Sequence, residues 1–165
     1  MQDAFVDTVT LTDIRIRTEE GGQKNWGWPG VPEHEKDYPE IRMFGRLPAY
    51  GFYIRHARNL RLRNIEIISD KDDFRPAVVC DDVKDILVSG FETRCPIPPD
   101  TIFELKNCHE VFIQGSRAPK DTNVFARIIG PSSGQITLFS NELGRAKEAY
   151  ACSDGASLEK CRCDS

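Results

Sequence analysis

The chain has 165 residues, 39% hydrophobic and 29% charged, enough to bury one core of ordinary size. A net charge of −4 with scattered basic residues offers no concentrated basic face, which excludes nucleic acid as the expected partner. No apolar run reaches the roughly 20 residues that cross a bilayer, so no membrane partner is expected either.

The N-terminal stretch "MQDAFVDTVTL" lacks the basic region and unbroken apolar run of an export signal, and localisation stays open. The first predicted strand follows at once as "VTLTDIRI". Val9 and Leu11 are apolar on alternate positions, Asp13 interrupts, and alternation resumes at Ile14 and Ile16. The same pattern returns as "LRLRNIEI", "ILVSGFET", "VFIQGSRA" and "ITLFSNEL", starting at Leu60, Ile86, Val111 and Ile136. Successive starts lie 51, 26, 25 and 25 residues apart, a period near 25 with about one extra period inserted after the first copy. The fifth residue of each copy is Asp13, Asn64, Gly90, Gly115 or Ser140. Four of these five are types that tolerate a left-handed backbone, so a tight bend is expected at one height in every copy.

The inserted segment, 18–51, holds both tryptophans (Trp26 and Trp28), Tyr38, Tyr50 and four of the ten prolines. A loop this long, stiff and aromatic reads as functional rather than disordered. Aromatic faces can stack on sugar rings, while arginine and glutamate can bond hydroxyls and carboxylates. The plainer alternative is that Trp26 and Trp28 pin the loop to the wall of the domain.

A further strand precedes each later copy: "GFYIRH", "AVVCDD", "IFELKN" and "ARIIGP". Counting back from the aligned copies puts Phe52, Val78, Phe103 and Ile128 in one inward column, and Ile54, Cys80 and Leu105 in the next. Cys108 aligns with Ala57 and Val83, so Cys80 and Cys108 read as buried core thiols. Tyr53 and Arg55 then point outward with His56 at the following turn, beside Val79 and Asp81 and then Glu104 and Lys106 on later turns. The expected floor is a mixed-charge groove under the aromatic loop, with a merely solvated face as the alternative for Glu104 and Lys106. The Asp81–Asp82 pair invites an acid/base reading, but neighbours on one strand face opposite sides unless a turn intervenes.

Near the C-terminus, "SNELGRAKEAYA" has helical spacing at Leu143, Ala146 and Tyr150, with Ser140 or Asn141 as an N-cap, and predicts a short helix over the last coil. The tail "CSDGASLEKCRC" supplies Cys152, Cys161 and Cys163, one ligand short of a structural zinc site. No metal or other cofactor is expected.

Three short strands per 25-residue turn, with like residues stacked in columns, predict an all-β fold: a right-handed parallel β-helix of about five coils. A β-sandwich also has many short strands but does not repeat side-chain type at fixed register. The expected organisation is one partial β-helix domain over 1–165, with the loop insertion at 18–51 and a C-terminal cap or tail at 142–165. A first coil without a cap leaves strand edges open, which predicts end-to-end homo-oligomers.

The run "VPEHEKDYPEIRMFGRLPAYGFYIRHARNLRLRNIEI", followed by "DDFRPAVVCDDV", resembles the C-terminal coils of bacterial proteins related to glycoside hydrolase family 28, the polygalacturonase-like pectin hydrolases. The similarity extends from about Val9 to about Gly90; later coils share only the repeat. The resemblance implies a parallel β-helix, hydrolysis of pectic or related acidic polysaccharides with inversion by aspartates, and a protein of a typically exported kind. The family's Asn-Thr-Asp, Gly-His-Gly and Arg-Ile-Lys signatures are absent and the Asp81–Asp82 pair is out of place, so no catalytic residue carries over. The expectation is therefore part of a polygalacturonase-like hydrolase that is inactive as this chain alone. The alternative is a non-catalytic carbohydrate-binding or structural β-helix. The expected partner is an acidic poly- or oligosaccharide, bound through Trp26, Trp28, Tyr50, Tyr53, Arg55, His56 and Asp81.

Overall fold

A computed structural model of the chain describes residues 5–19, 21–24, 30–34, 36, 40 and 43–164. Trp26 and Trp28 lie outside the described residues. The described residues form nine strands: β1 (Val6–Thr18), β2 (Phe52–Ser69), β3 (Val78–Arg94), β4 (Thr101–Lys106), β5 (His109–Gln114), β6 (Thr122–Ile129), β7 (Gly134–Phe139), β8 (Ala146–Ser153) and β9 (Cys161–Asp164). Every pairing is parallel, and each turn lays its strands beside those of the turn before. The result is a β-solenoid of about five turns.

The sequence columns become the register. Val9 pairs with Leu60, Leu60 with Ile86, Ile86 with Val111 and Val111 with Ile136. From Leu60 onward these side chains are 3% exposed or less, and closing each one off from water contributes about 1.5–3 kcal/mol. The predicted bend is present in every copy: Asp13, Asn64, Gly90, Gly115 and Ser140 all have φ between 48° and 69°. Two more corners carry the same left-handed backbone, at His56, Asp82 and Asn107, and at Thr8, Asn59, Asp85, Glu110 and Gln135. A non-glycine residue there costs about 1–2 kcal/mol, offset by bonds between stacked corners such as Asn64 Nδ2 donating to Asp13 Oδ1 at 2.6 Å.

Buried hydroxyls stitch one turn to the next. Ser116 Oγ accepts from the Phe91 amide at 3.1 Å, and Ser133 Oγ accepts from the Cys108 amide at 3.1 Å. Between these seams the rings of Phe91, Phe103 and Phe125 stack inside the coil, with centroids 4.9 and 5.2 Å apart.

Two local expectations need correction. Ile128 pairs with Leu105, not Phe103, which faces Ala126 instead. The link between β6 and β7 contains the "GPSS" turn at 130–133 and is two residues longer than the equivalent link in earlier turns, so counting back a fixed distance slips by one inward position. The predicted helix is also absent. Residues 146–153 are strand β8, because the free edge of β6 offers a ladder of partners that outweighs helical spacing. Asn141 is not a helix cap: its side chain accepts from the Ser116 amide at 2.9 Å and donates to the Ile113 carbonyl at 2.8 Å. The tail carries a 3-10 turn at Leu158–Lys160, and β9 continues the column, with Ile136 pairing with Cys161 and Leu138 with Cys163.

Cys80 and Cys108 are fully buried, in the inward positions expected of them. A hydrogen bond between the two thiols, and then burial, push the Cys80 thiol well above its ordinary pKa. Burial pushes Cys95 up to about 11 and Cys161 up to about 12. With a thiol reagent at neutral pH, exposed Cys163 should be labelled first and Cys80 and Cys108 only on unfolding. Mass spectrometry of the native protein at short times checks this, and early labelling of Cys80 would refute the register.

Candidate functional site

The outer side of the wall built from β2, β3, β4 and β6 carries the residues expected to line a groove. In register, Tyr53 lies beside Val79, Val79 beside Glu104 and Glu104 beside Arg127; one step on, Arg55 lies beside Asp81 and Asp81 beside Lys106. Parallel strands are about 4.8 Å apart, so these side chains form two files running along the solenoid axis.

The inserted loop is tied to this wall by backbone carbonyls. Arg55 donates to the Val31 carbonyl at 2.6 Å and the Pro32 carbonyl at 3.2 Å, and pairs with Glu33 at 3.1 Å. Arg55 thus latches the loop to the wall, and its guanidinium also lies 5.7 Å from the Tyr53 ring centre. Farther along, Asp73 is fully buried and takes Arg75 in a two-pronged pair at 3.0 and 2.6 Å. Arg75 also donates to the Leu47 carbonyl at 3.3 Å, while the Phe74 amide donates to the Gly22 carbonyl at 3.2 Å. A Cβ on Gly22 would come within 2.5 Å of Asp73 Oδ1, so only glycine lets the loop pass this close.

The predicted residues separate into two groups. Tyr53, Arg55, His56 and Asp81 are neighbours on the outer face. Tyr50 is not on that face: it is 6% exposed, and its hydroxyl bonds the Thr93 hydroxyl inside the domain. Burial raises its pKa, and its ring packs with the core.

A turn does intervene between Asp81 and Asp82, since Asp82 sits in the left-handed corner at φ 56°. Each carboxylate is nevertheless engaged separately. Asp81 receives Lys106 at 3.2 Å, and Asp82 receives His56 Nδ1 at 2.8 Å. His56 also meets Glu33 through Nε2 at 3.3 Å, so one imidazole is held between two carboxylates.

Hydrogen bonding to Asp82 raises the His56 pKa above its ordinary value; burial opposes it, and Glu33 adds a lesser upward contribution. A raised pKa in the folded state means that this contribution to stability is fully present below the unfolded value, near 6.5, and fades as pH rises through the folded one. Following the His56 ring by NMR should show titration above the ordinary value, and Asp82→Asn should bring it down. No change in Asp82→Asn would remove Asp82 as the cause.

Sequence reasoning missed Glu33, whose role depends on the path of the loop, and it missed the burial of Glu104, which the strand pattern places outward but which is only 8% exposed. Glu104 borders a cavity of about 300 Å³ with Phe74, Arg75, Asp100, Thr101 and Arg127. Burial raises its carboxyl pKa, opposed by Arg127 and Lys106. The nearby Asp100 is held below the usual range by Arg127 and Asn123 despite its partial burial. Among the described residues, no three His, Cys, Asp or Glu side chains are grouped to hold a metal ion.

Comparison of the chain with protein-family models, curated proteins and solved structures gives no significant match.

Proposed function

Starting from the solenoid and the strip of side chains on its outer wall, we propose that this chain is part of a polygalacturonase-like glycoside hydrolase and holds acidic polysaccharide without supplying the catalytic acids. The observation that carries this reading is the adjacency of Tyr53, Arg55 and His56 under a latched loop, with Lys106 two strands further along the same wall. A ring can stack on Tyr53 while cationic groups receive carboxylates at intervals of a strand spacing. The resemblance of 31–67 to the polygalacturonase-like proteins supports the choice of an acidic sugar chain.

Inverting hydrolysis needs a protonated acid and a water-activating carboxylate about 6.5–9.5 Å apart across the scissile bond. Asp81 and Asp82 are each committed to a basic partner, which does not suit them to that pairing. A second reading, a purely structural solenoid, draws on the neutralisation of this wall: Arg55 pairs with Glu33, Lys106 with Asp81 and Arg127 with Asp100.

Titration with trigalacturonate at low salt distinguishes them. Saturable binding is expected, weakened about tenfold in a Tyr53→Ala/Arg55→Ala double variant, together with no release of reducing sugar from polygalacturonate. Absence of saturable binding favours the structural reading. Hydrolysis abolished by Asp81→Asn or Asp82→Asn would show that the pair is catalytic after all.

A further inference from the structure

We infer that Cys152 and Cys161 are a site of covalent modification: they form an intrachain disulfide by exchange with a small-molecule disulfide such as oxidised glutathione, joining β8 to β9 across the inside of the last coil. The inference is independent of the carbohydrate reading and concerns other residues.

Register places the two thiols. Leu105, Ile128 and Cys152 follow one another along one inward column, and Val111, Ile136 and Cys161 along another. One turn earlier both columns hold an isoleucine that is 1% exposed; in the last turn both hold a cysteine. Both cysteines are half-buried against the same core, and the Cys152 side chain is a hydrogen-bonding neighbour of Cys161. Cys163, two residues along β9, is exposed and has no such contact with Cys152. The geometry therefore selects one pair among the three thiols of the tail.

A disulfide needs its sulfurs about 2 Å apart, so the strands must be able to close slightly. They have that freedom. β8 and β9 are the two end strands of the sheet path, each paired on one side only among the described residues, and the link at 154–160 is mostly exposed. That link has eight residues between the two cysteines, and closing it removes freedom from the opened chain.

The reaction balances in two exchanges. A thiolate of the pair attacks the external disulfide, forming a mixed disulfide and releasing one reduced thiol. The second thiolate then attacks the protein sulfur of that mixed disulfide and expels the other. Two electrons pass to the external disulfide, and the two thiol protons leave with its reduced halves. Burial, with Cys152 nearby, pushes the Cys161 thiol up to about 12, so it is a slow attacker at neutral pH and a poor leaving group once bonded. The bond forms slowly and persists, which makes it a staple rather than a rapid switch.

The test incubates the whole reduced chain with oxidised glutathione under native conditions, blocks the remaining thiols, and maps tryptic peptides without reduction. Peptide 148–160 should be found linked to 161–162, with 163–165 unlinked. Cys163→Ser should keep the link and Cys161→Ser should abolish it. In the oxidised protein the amides of β8 and β9 should exchange with solvent at least about tenfold more slowly than in the reduced protein. A link from 148–160 to 163–165, glutathione adducts without a link, or unchanged exchange after linkage would each overturn the inference. Should Cys161→Ser fail to fold, the peptide map of wild type and Cys163→Ser decides.

Discussion

Phe103→Ala should destabilise the protein by about 3–5 kcal/mol, because it empties the middle of a three-ring stack in a core that has little freedom to collapse. Phe103 is 1% exposed, lies between Phe91 and Phe125, and belongs to a strand that pairs on both sides. In a solenoid, each turn is held chiefly by its two neighbours, so a weak central turn uncouples the two ends. Urea unfolding should therefore show both an earlier midpoint and a broader transition than wild type. A loss below about 1 kcal/mol would mean that the rings do not pack as described.

Asp73→Ala is expected to cost about 3 kcal/mol, the low end for breaking a buried ion pair, since Arg75 keeps some contact with water. Its larger effect falls on the loop. Asp73 fixes Arg75, Arg75 reaches the Leu47 carbonyl, and the intervening Phe74 amide reaches the Gly22 carbonyl, so one carboxylate ties down both ends of the insertion. Trypsin should cut within 18–51 several-fold faster in Asp73→Ala than in wild type. Asp73→Asn, which keeps one acceptor oxygen but loses the charge, should fall between them. Equal cutting rates in all three proteins would show that the loop is held by other contacts.

The architecture was legible because a 25-residue period and a bend residue at fixed register have few structural solutions. Asp13, Asn64 and Gly90 announced a corner by their chemistry alone. Other corners were harder to see: Glu110 and Gln135 hold the left-handed backbone without belonging to a type that favours it. Tyr50 is expected among the sugar-binding residues because aromatic residues beside prolines look alike whether they line a binding face or seal a core. Only the position of Thr93, 43 residues on, shows which. Glu104 illustrates the limit on the candidate site. Strand alternation correctly pointed it away from the core, but its burial comes from the inserted loop and neighbouring strands, whose placement no local pattern encodes. The helix predicted around Leu143 and Tyr150 failed for a related reason, since an open strand edge is a property of the assembled turns.

The stacked corners have a consequence for how such a chain can change its length. Because each turn repeats the same register on the one before, adding or removing a whole 25-residue copy leaves the cross-section and every column intact, whereas a shift of one residue turns inward side chains outward. Extra residues that do not complete a copy are accommodated in the links between strands, as at 130–133. The solenoid thus separates two kinds of inherited variation: duplication of complete coils extends the wall, and irregular growth at the links reshapes what overhangs it.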